Sequence, residues 1–322
     1  MTQLIRKIML VIFLLLWIVC AIYGYTQTIE KKSTLQTITI GYQKGDPIDI
    51  AKQHGELIKN MEDQGYKIVY REFADGAAEM QALASGSIDY ARTGDTPPVS
   101  AQASKTDIAY IAVGASKSSG SAILLPKSST VSKLSDLKGK RIAYTQGTSS
   151  QYLLLSALKK AGLSSSDVTL VNMKQTDASI AFGQGKIDAW VTWDPYTAQA
   201  QVTQGAKVLT TGKGLSKNRD FILSTQSYAK KNKKASAYLV KYLAEDMKWA
   251  NNNKSAVSKL LVKSLSMKQS VIKKMVNRKD FTITSISSSV VKEQQDIADL
   301  FYDQGLITKK IKISDAIVDI TK

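Results

Sequence analysis

The chain has 322 residues, of which 43% are apolar and 22% charged, and its 44 lysines and arginines against 27 aspartates and glutamates give a formal charge of +17. This is the length of one large domain or two ordinary lobes, with enough apolar residues to bury a core. A single cysteine, Cys20, and a single histidine, His54, exclude an internal disulfide and a Cys/His zinc site, and no metal or other cofactor is expected.

Taken in chain order, Arg6 and Lys7 precede a run from Ile8 to Ile29 without a charge. Such a run predicts an N-terminal hydrophobic helix acting as export signal or membrane anchor, with Glu30 onward outside the cytoplasm. Cys20 invites a lipoprotein reading, but Trp17-Ile18-Val19 is a poor lipid-attachment sequence, so lipoprotein, uncleaved anchor and cleaved signal all stay open. Thr37–Gly41 alternates as a strand. Gln43-Lys-Gly-Asp46 turns out of it, and Pro47 opens a helix expected to reach about Asn60. Strands follow at Lys67–Phe73 and Ile88–Thr93, separated by a helix over 77–84. Gly94-Asp95-Thr96-Pro97 leads into the next helix. The second half has strands at 141–144, 168–171 and 187–192, with helices at 149–161, 177–182 and from Asp194. From about Ala235 to Tyr302 the pattern is helical, broken around 281–288. The alternation predicts open, mostly parallel sheets with helices on both faces. Lysines are scattered rather than interleaved with aromatic residues, apart from the group Lys230, Lys231, Lys233 and Lys234. No nucleic-acid partner is therefore expected; the basic charge reads as a solvated face near anionic lipid or cell wall.

A self-match at an offset of 99 residues pairs Ala82–Asp95 with Ala181–Asp194, and six of the 14 positions are identical. About one is expected by chance. Tyr42-Gln-Lys-Gly45 against Tyr144-Thr-Gln-Gly147 is a looser echo. Each half thus has a strand, a glycine turn and a helix, then a strand leading through Thr-x-Asp into another helix. Ligands bind open parallel sheets beyond the carboxyl ends of their strands, and helix N-termini from two lobes favour an anion. Gln146-Gly-Thr-Ser-Ser150 suits such a site, although Thr148-Ser149-Ser150 is equally an N-cap. Asp95 and Asp194 are N-caps or site residues, and Trp193 is core or ligand wall.

The motifs Ile40–Gly45, Thr93-Gly-Asp-Thr-Pro-Pro98, Gln146–Ser150, Asp188-Ala-Trp-Val-Thr-Trp-Asp-Pro-Tyr196 and Ala298–Tyr302 together resemble the aliphatic sulfonate-binding proteins of ABC importers. The resemblance runs from Thr37 to the C-terminus. It implies an α/β, two-lobed periplasmic-binding-protein fold of type II with a ligand cleft between the lobes. Lobe one would comprise 36–117 plus 216–322, lobe two 118–215, and 1–32 the signal or anchor with its linker. It further implies an extracytoplasmic capture protein, without catalysis, that hands a sulfonate, as a sulfur source, to a membrane permease driven by an ATPase.

On this resemblance Thr148, Ser149 and Ser150 would hold the sulfonate oxygens. Gln43 would donate across the cleft, Gly94 would permit close approach, and Trp193 would flank the alkyl chain. Asp95 and Asp194 would orient their loops or meet a ligand ammonium, and Arg278 matches a family arginine with no ligand contact assigned to it. Taurine or nitrate-type anions, or a sensor without a transporter, are the alternatives. An enzyme finds no support: the chain has no Gly-x-Ser-x-Gly elbow, no phosphate loop, and no nucleophile or metal set beside the two aspartates.

Overall fold

The computed structural model describes residues 2–33 and 35–320. Helix α1 (Thr2–Ser33) comes first. Its described apolar side chains, Phe13 and Trp17 among them, are exposed along the run from Ile8 to Tyr25. Counted over the described residues alone, no helix is long and apolar enough to cross a membrane.

The folded body then alternates strand and helix. β1 (Gln36–Tyr42) turns at Asp46, whose carboxylate accepts from Asp49 N at 2.7 Å and caps α2 (Pro47–His54). The single helix expected to reach Asn60 is two helices. Gly55, at φ +92°, ends α2 and starts α3 (Glu56–Asp63), because a left-handed residue cannot continue an α-helix. β2 (Tyr66–Glu72), α4 (Gly76–Ala84), β3 (Ala91–Thr93), α5 (Thr96–Ala103) and β4 (Ala109–Gly114) complete the first stretch. The chain then crosses to β5 (Ala122–Leu125), β6 (Arg141–Tyr144), α6 (Ser149–Lys160), β7 (Thr169–Asn172), α7 (Gln175–Gly183), β8 (Ala189–Thr192), α8 (Tyr196–Thr203) and β9 (Lys207–Thr211). It returns through β10 (Phe221–Ser224) to α9 (Gln226–Lys231), α10 (Lys233–Asn252), α11 (Lys254–Leu265), α12 (Gln269–Arg278), β11 (Ile283–Thr284) and α13 (Ser288–Asp303).

Two sheets result. In the first, parallel β1 and β2 join through an Ile40–Tyr90 bridge to the order β3-β10-β4-β11; in the second the order is β7-β6-β8-β5-β9. Each sheet is covered on both faces. Ile38, Ile40 and Leu57 pack with α10–α12 on one side of the first sheet, and Leu83, Phe221 and Phe301 pack with α4, α5 and α13 on the other. The second sheet lies between Leu153, Leu154 and Leu158 of α6 and a cluster around Trp190 and Phe182. The sheets are mixed rather than mostly parallel. β5 runs antiparallel to β8 and β9, and β10 antiparallel to β3 and β4. The reversal follows from the two crossings, each of which delivers the chain into the next sheet as a strand running against its neighbours. The crossings touch each other at Gly212, whose N–H donates to Ser118 O at 2.9 Å and Ser121 O at 2.8 Å. A Cβ there would lie 2.7 Å from Ser216 O and 3.1 Å from Ser118 Cα, so only glycine fits.

Candidate functional site

The strand ends of both lobes bring the repeated motif to the cleft. The repeat's shared residues build the two frames alike. Asp89 accepts from Thr39 N and Asp188 from Arg141 N, each at 2.7 Å, pinning adjacent parallel strands. Ile88 and Ile187 are buried beside them, and Gly86 and Gly185 take the same left-handed turn at φ +72° and +69°. One buried helix residue then ties the glycine turn to the strand in each half. In lobe two Gln175 donates to Thr145 Oγ1 at 2.9 Å and accepts from Trp190 Nε1 and Thr192 Oγ1 at 2.9 and 2.6 Å. In lobe one Glu79 takes that place, accepting from Gln43 Nε2 at 2.9 Å and from Arg92 N. Burial, with Asp46 nearby, pushes the Glu79 carboxyl up to about 8. It thus holds its proton to a higher pH than an ordinary glutamate, in the place where lobe two has an amide.

The predicted residues fall into separate settings. Gln43 is held within lobe one by Glu79, with a longer bond to Arg92 O at 3.4 Å. At the start of α6, Thr148 is an N-cap, and its hydroxyl donates to Thr145 O at 2.7 Å; Ser150 Oγ accepts from Thr145 N at 3.0 Å. These two hydroxyls are spent on the turn. Ser149 differs: it is 8% exposed, and among the described residues neither its hydroxyl nor the amides of Thr148 and Ser149 have a partner. Trp193 is half-buried and its ring stacks on no other described ring.

The two aspartates part company. Asp194 forms a bidentate pair with Arg278 of α12, with Nε to Oδ2 at 2.7 Å, while Arg278 Nη1 donates to Gln201 Oε1 at 3.0 Å. Asp194 Oδ1 also accepts from Ala198 N at 3.1 Å, so it helps start α8 as well as joining the lobes. Gly120 makes room for it, since a Cβ there would lie 3.1 Å from Asp194 Cγ. Asp95 makes no cap bond. It is 2% exposed, and neither carboxyl oxygen has a hydrogen-bond partner. Burial raises its carboxyl to about 6 against the pull of Lys117 and of the Asn218 and Arg219 amides, which face it without bonding geometry. Gly94 beside it leaves a Cβ position 3.9 Å from Asn218 Oδ1. Asp95 alone of the predicted residues lines a cavity of about 210 Å³ between α13 and the second crossing, with Tyr152, Ser216, Lys217, Arg219, Glu293 and Gln294.

No motif announces the buried charge cluster behind these loops. Arg92 hydrogen-bonds Asp220 and lies 3.7 Å from Asp46, and Lys117 also bonds Asp220. Burial, with Arg92 and Lys279 close by, pulls the Lys117 ammonium well below its ordinary value. Lys279, for burial and the same Arg92, falls to about 8. Arg92, Lys117 and Lys279 thus stand among Asp46, Asp95 and Asp220. The lone signal was Arg92 two residues before Gly94. Among the described residues no His, Cys, Asp or Glu group has the arrangement of a metal site.

Residues 61–257 match the family described as NMT1/THI5 like. An aliphatic sulfonates-binding protein of Escherichia coli K12 is 35% identical over 294 residues, covering 91% of this chain and 92% of that one. The crystal structure of the periplasmic aliphatic sulphonate binding protein from Escherichia coli superposes with a TM-score of 0.85 at 35% identity, over 89% of this chain and 93% of that one. The alkanesulfonate-binding protein of Xanthomonas axonopodis pv. citri bound to MOPS gives 0.81 at 32% identity, over 88% and 98%.

Proposed function

Because this chain belongs to the family of aliphatic sulfonate-binding proteins, with the two-lobed periplasmic-binding-protein fold, we propose that it is the extracytoplasmic capture subunit of an ABC importer for aliphatic sulfonates. Residues 36–117 plus 216–322 form one lobe and 118–215 the other, and they close on the ligand as a hinge. A membrane permease with its cytoplasmic ATPase receives the cargo, and this chain performs no chemistry on it.

The open start of α6 carries the reading. The Thr148 and Ser149 amides and the Ser149 hydroxyl stand without partners at the positive end of a 12-residue helix, which is the arrangement a fixed monoanion needs. A sulfonate stays ionised at any physiological pH, so its site requires hydrogen-bond donors and no proton acceptor. Thr148 and Ser150 hold the turn, Gln43 and Gly94 close the site from lobe one, and Trp193 flanks the tail. Asp194, engaged by Arg278, joins the lobes. Asp95 keeps an unsatisfied carboxyl, which favours as second reading a ligand with an ammonium near its tail, as in taurine.

Calorimetric titration with ethanesulfonate, pentanesulfonate, taurine, sulfate and nitrate tests this. Micromolar alkanesulfonate binding, about −8 kcal/mol, is the expected result. Silence toward every sulfonate overturns the cargo, and preference for taurine, lost in Asp95→Asn, selects the second reading.

The exposed apolar side chains of α1 support membrane attachment of the N-terminal segment, with Arg6 and Lys7 on the cytoplasmic side. Recovery of the full-length chain in the membrane fraction, its body open to external protease, is expected. A chain found wholly in the soluble fraction without residues 1–32 shows a cleaved signal instead.

A further inference from the structure

Between Asp220 and Glu245 the sequence carries five lysines, Lys230, Lys231, Lys233, Lys234 and Lys241, and no acid. Four of them flank Asn232, where α9 ends and α10 begins, and all five are exposed. Capture of a sulfonate in the cleft makes no use of them. Their place in the fold is specific, because Asn232 Oδ1 accepts from Gln36 Nε2 at 3.3 Å. Gln36 opens β1, with two residues between it and the end of α1 at Ser33. The cluster therefore surrounds the point at which the N-terminal helix enters the folded body.

The surroundings do not neutralise it. Among the described residues none of the five lysines forms an ion pair. Lys230 donates to the neutral Gln226 at 3.1 Å, and Lys234 and Lys241 lie over the rings of Tyr238 and Tyr242 at 5.8 and 5.0 Å. Asp107, at the foot of α9, is occupied with Gln226 N and Ser227 Oγ at 3.1 and 2.9 Å. Tyr66, opposite Gln36 in the strand ladder, meets Tyr238 with ring centres 6.4 Å apart. Lysines over tyrosine rings, next to the root of an apolar helix, are the side chains that suit a membrane interface.

We propose that the face formed by Lys230, Lys231, Lys233, Lys234 and Lys241 rests on the anionic headgroups of a lipid bilayer. The proposal rests on the membrane attachment of α1 given above. That attachment supplies proximity, and the lysines, within a screening length of about 10 Å at 0.1 M salt, supply orientation. The body is then held with this face toward the bilayer instead of turning freely on its tether.

The test uses the full chain, with Cys20→Ser and a fluorophore on Ser227→Cys, reconstituted into phosphatidylcholine vesicles with or without phosphatidylglycerol and with quencher-labelled headgroups. Flotation with pure phosphatidylcholine reports the attachment alone, and its failure removes that premise. Given flotation, the proposal expects strong quenching with phosphatidylglycerol and loss of most of it in pure phosphatidylcholine. The same loss is expected in 1 M salt and in a variant with Lys230, Lys231, Lys233 and Lys234 all changed to Gln. The thermal midpoint of that variant confirms its folding without reference to cargo. Equal quenching in both lipids, or in the variant and its parent, overturns the lipid contact. So does lysine-dependent binding of soluble poly(glycerol phosphate) with no lipid-dependent quenching, which assigns the face to a wall polymer.

Discussion

Up to Thr93 in one lobe and Thr192 in the other, the two repeats fold alike: a left-handed glycine, a buried isoleucine, then an aspartate accepting from a neighbouring strand at 2.7 Å. Two residues later the likeness stops. Asp194 is clamped by the Arg278 guanidinium across the cleft, whereas Asp95 is buried with both oxygens unsatisfied. The residues that agree in both surroundings and chemistry are those facing their own sheet. Of the pair that differs, Asp194 faces the other lobe, where α12 brings an arginine, whereas Asp95 faces the second crossing and its Asn218 and Arg219 amides, neither of which is part of the repeat. A duplicated motif fixes a position and leaves its partner to the rest of the chain.

Removing the clamp should have the largest effect. Arg278→Ala strands a carboxylate whose side chain is 14% exposed, and a loss of about 3 kcal/mol is expected in urea denaturation. Asp194→Asn should lose less, and the double variant less than the sum of the two, since one interaction is removed in every case. A sum that is fully additive would mean the pair contributes nothing. The opposite sign is expected at the other aspartate. Folded Asp95 holds its proton to about pH 6, and the unfolded chain releases it near 3.8. The folded state thus binds more protons between those values, and raising the pH through that window removes stability. Asp95→Asn should therefore gain about 3 kcal/mol at pH 7 and flatten the profile between pH 4 and 6; an unchanged profile would show the carboxylate to be satisfied.

Smaller effects sharpen the contrast between the two strand ends. Trp193→Ala should weaken pentanesulfonate by about 1–2 kcal/mol and ethanesulfonate by less, measured calorimetrically, because the longer tail covers more of the ring. Equal losses would remove Trp193 from the tail's path. Thr148→Ala should lower stability by about 1 kcal/mol through the lost cap, while Ser149→Ala should leave the melting midpoint in place and reduce sulfonate affinity. If both act on the midpoint alone, the start of α6 is scaffold only.

Much of the frame was legible because its signals are local. Alternation marked β1, glycines marked the helix ends, and the 99-residue offset marked the second lobe. Five strands escaped, at 109–114, 122–125, 207–211, 221–224 and the two-residue 283–284. Every residue of β4, β5 and β10 is buried, so no polar face alternates with the apolar one. At the site, strand-end residues could be read from turn motifs, whereas Arg92, Lys117, Asp220 and Lys279 come together only through tertiary contacts. The partner of Asp194 lies 84 residues away, and no spacing rule reaches it.

At Gly212 the two crossings press together so closely that a methyl carbon would lie 3.1 Å from Ser118 Cα of the other crossing. In the hinge proposed above these crossings are the pivot, and a lobe of some 100 residues is an arm of about 13 Å. A methyl group at Gly212 would force the crossings apart, and the arm would carry that shift to the rim of the lobes, where hydrogen bonds are made or missed. The smallest side chain at the axle sets the tolerance of the whole jaw.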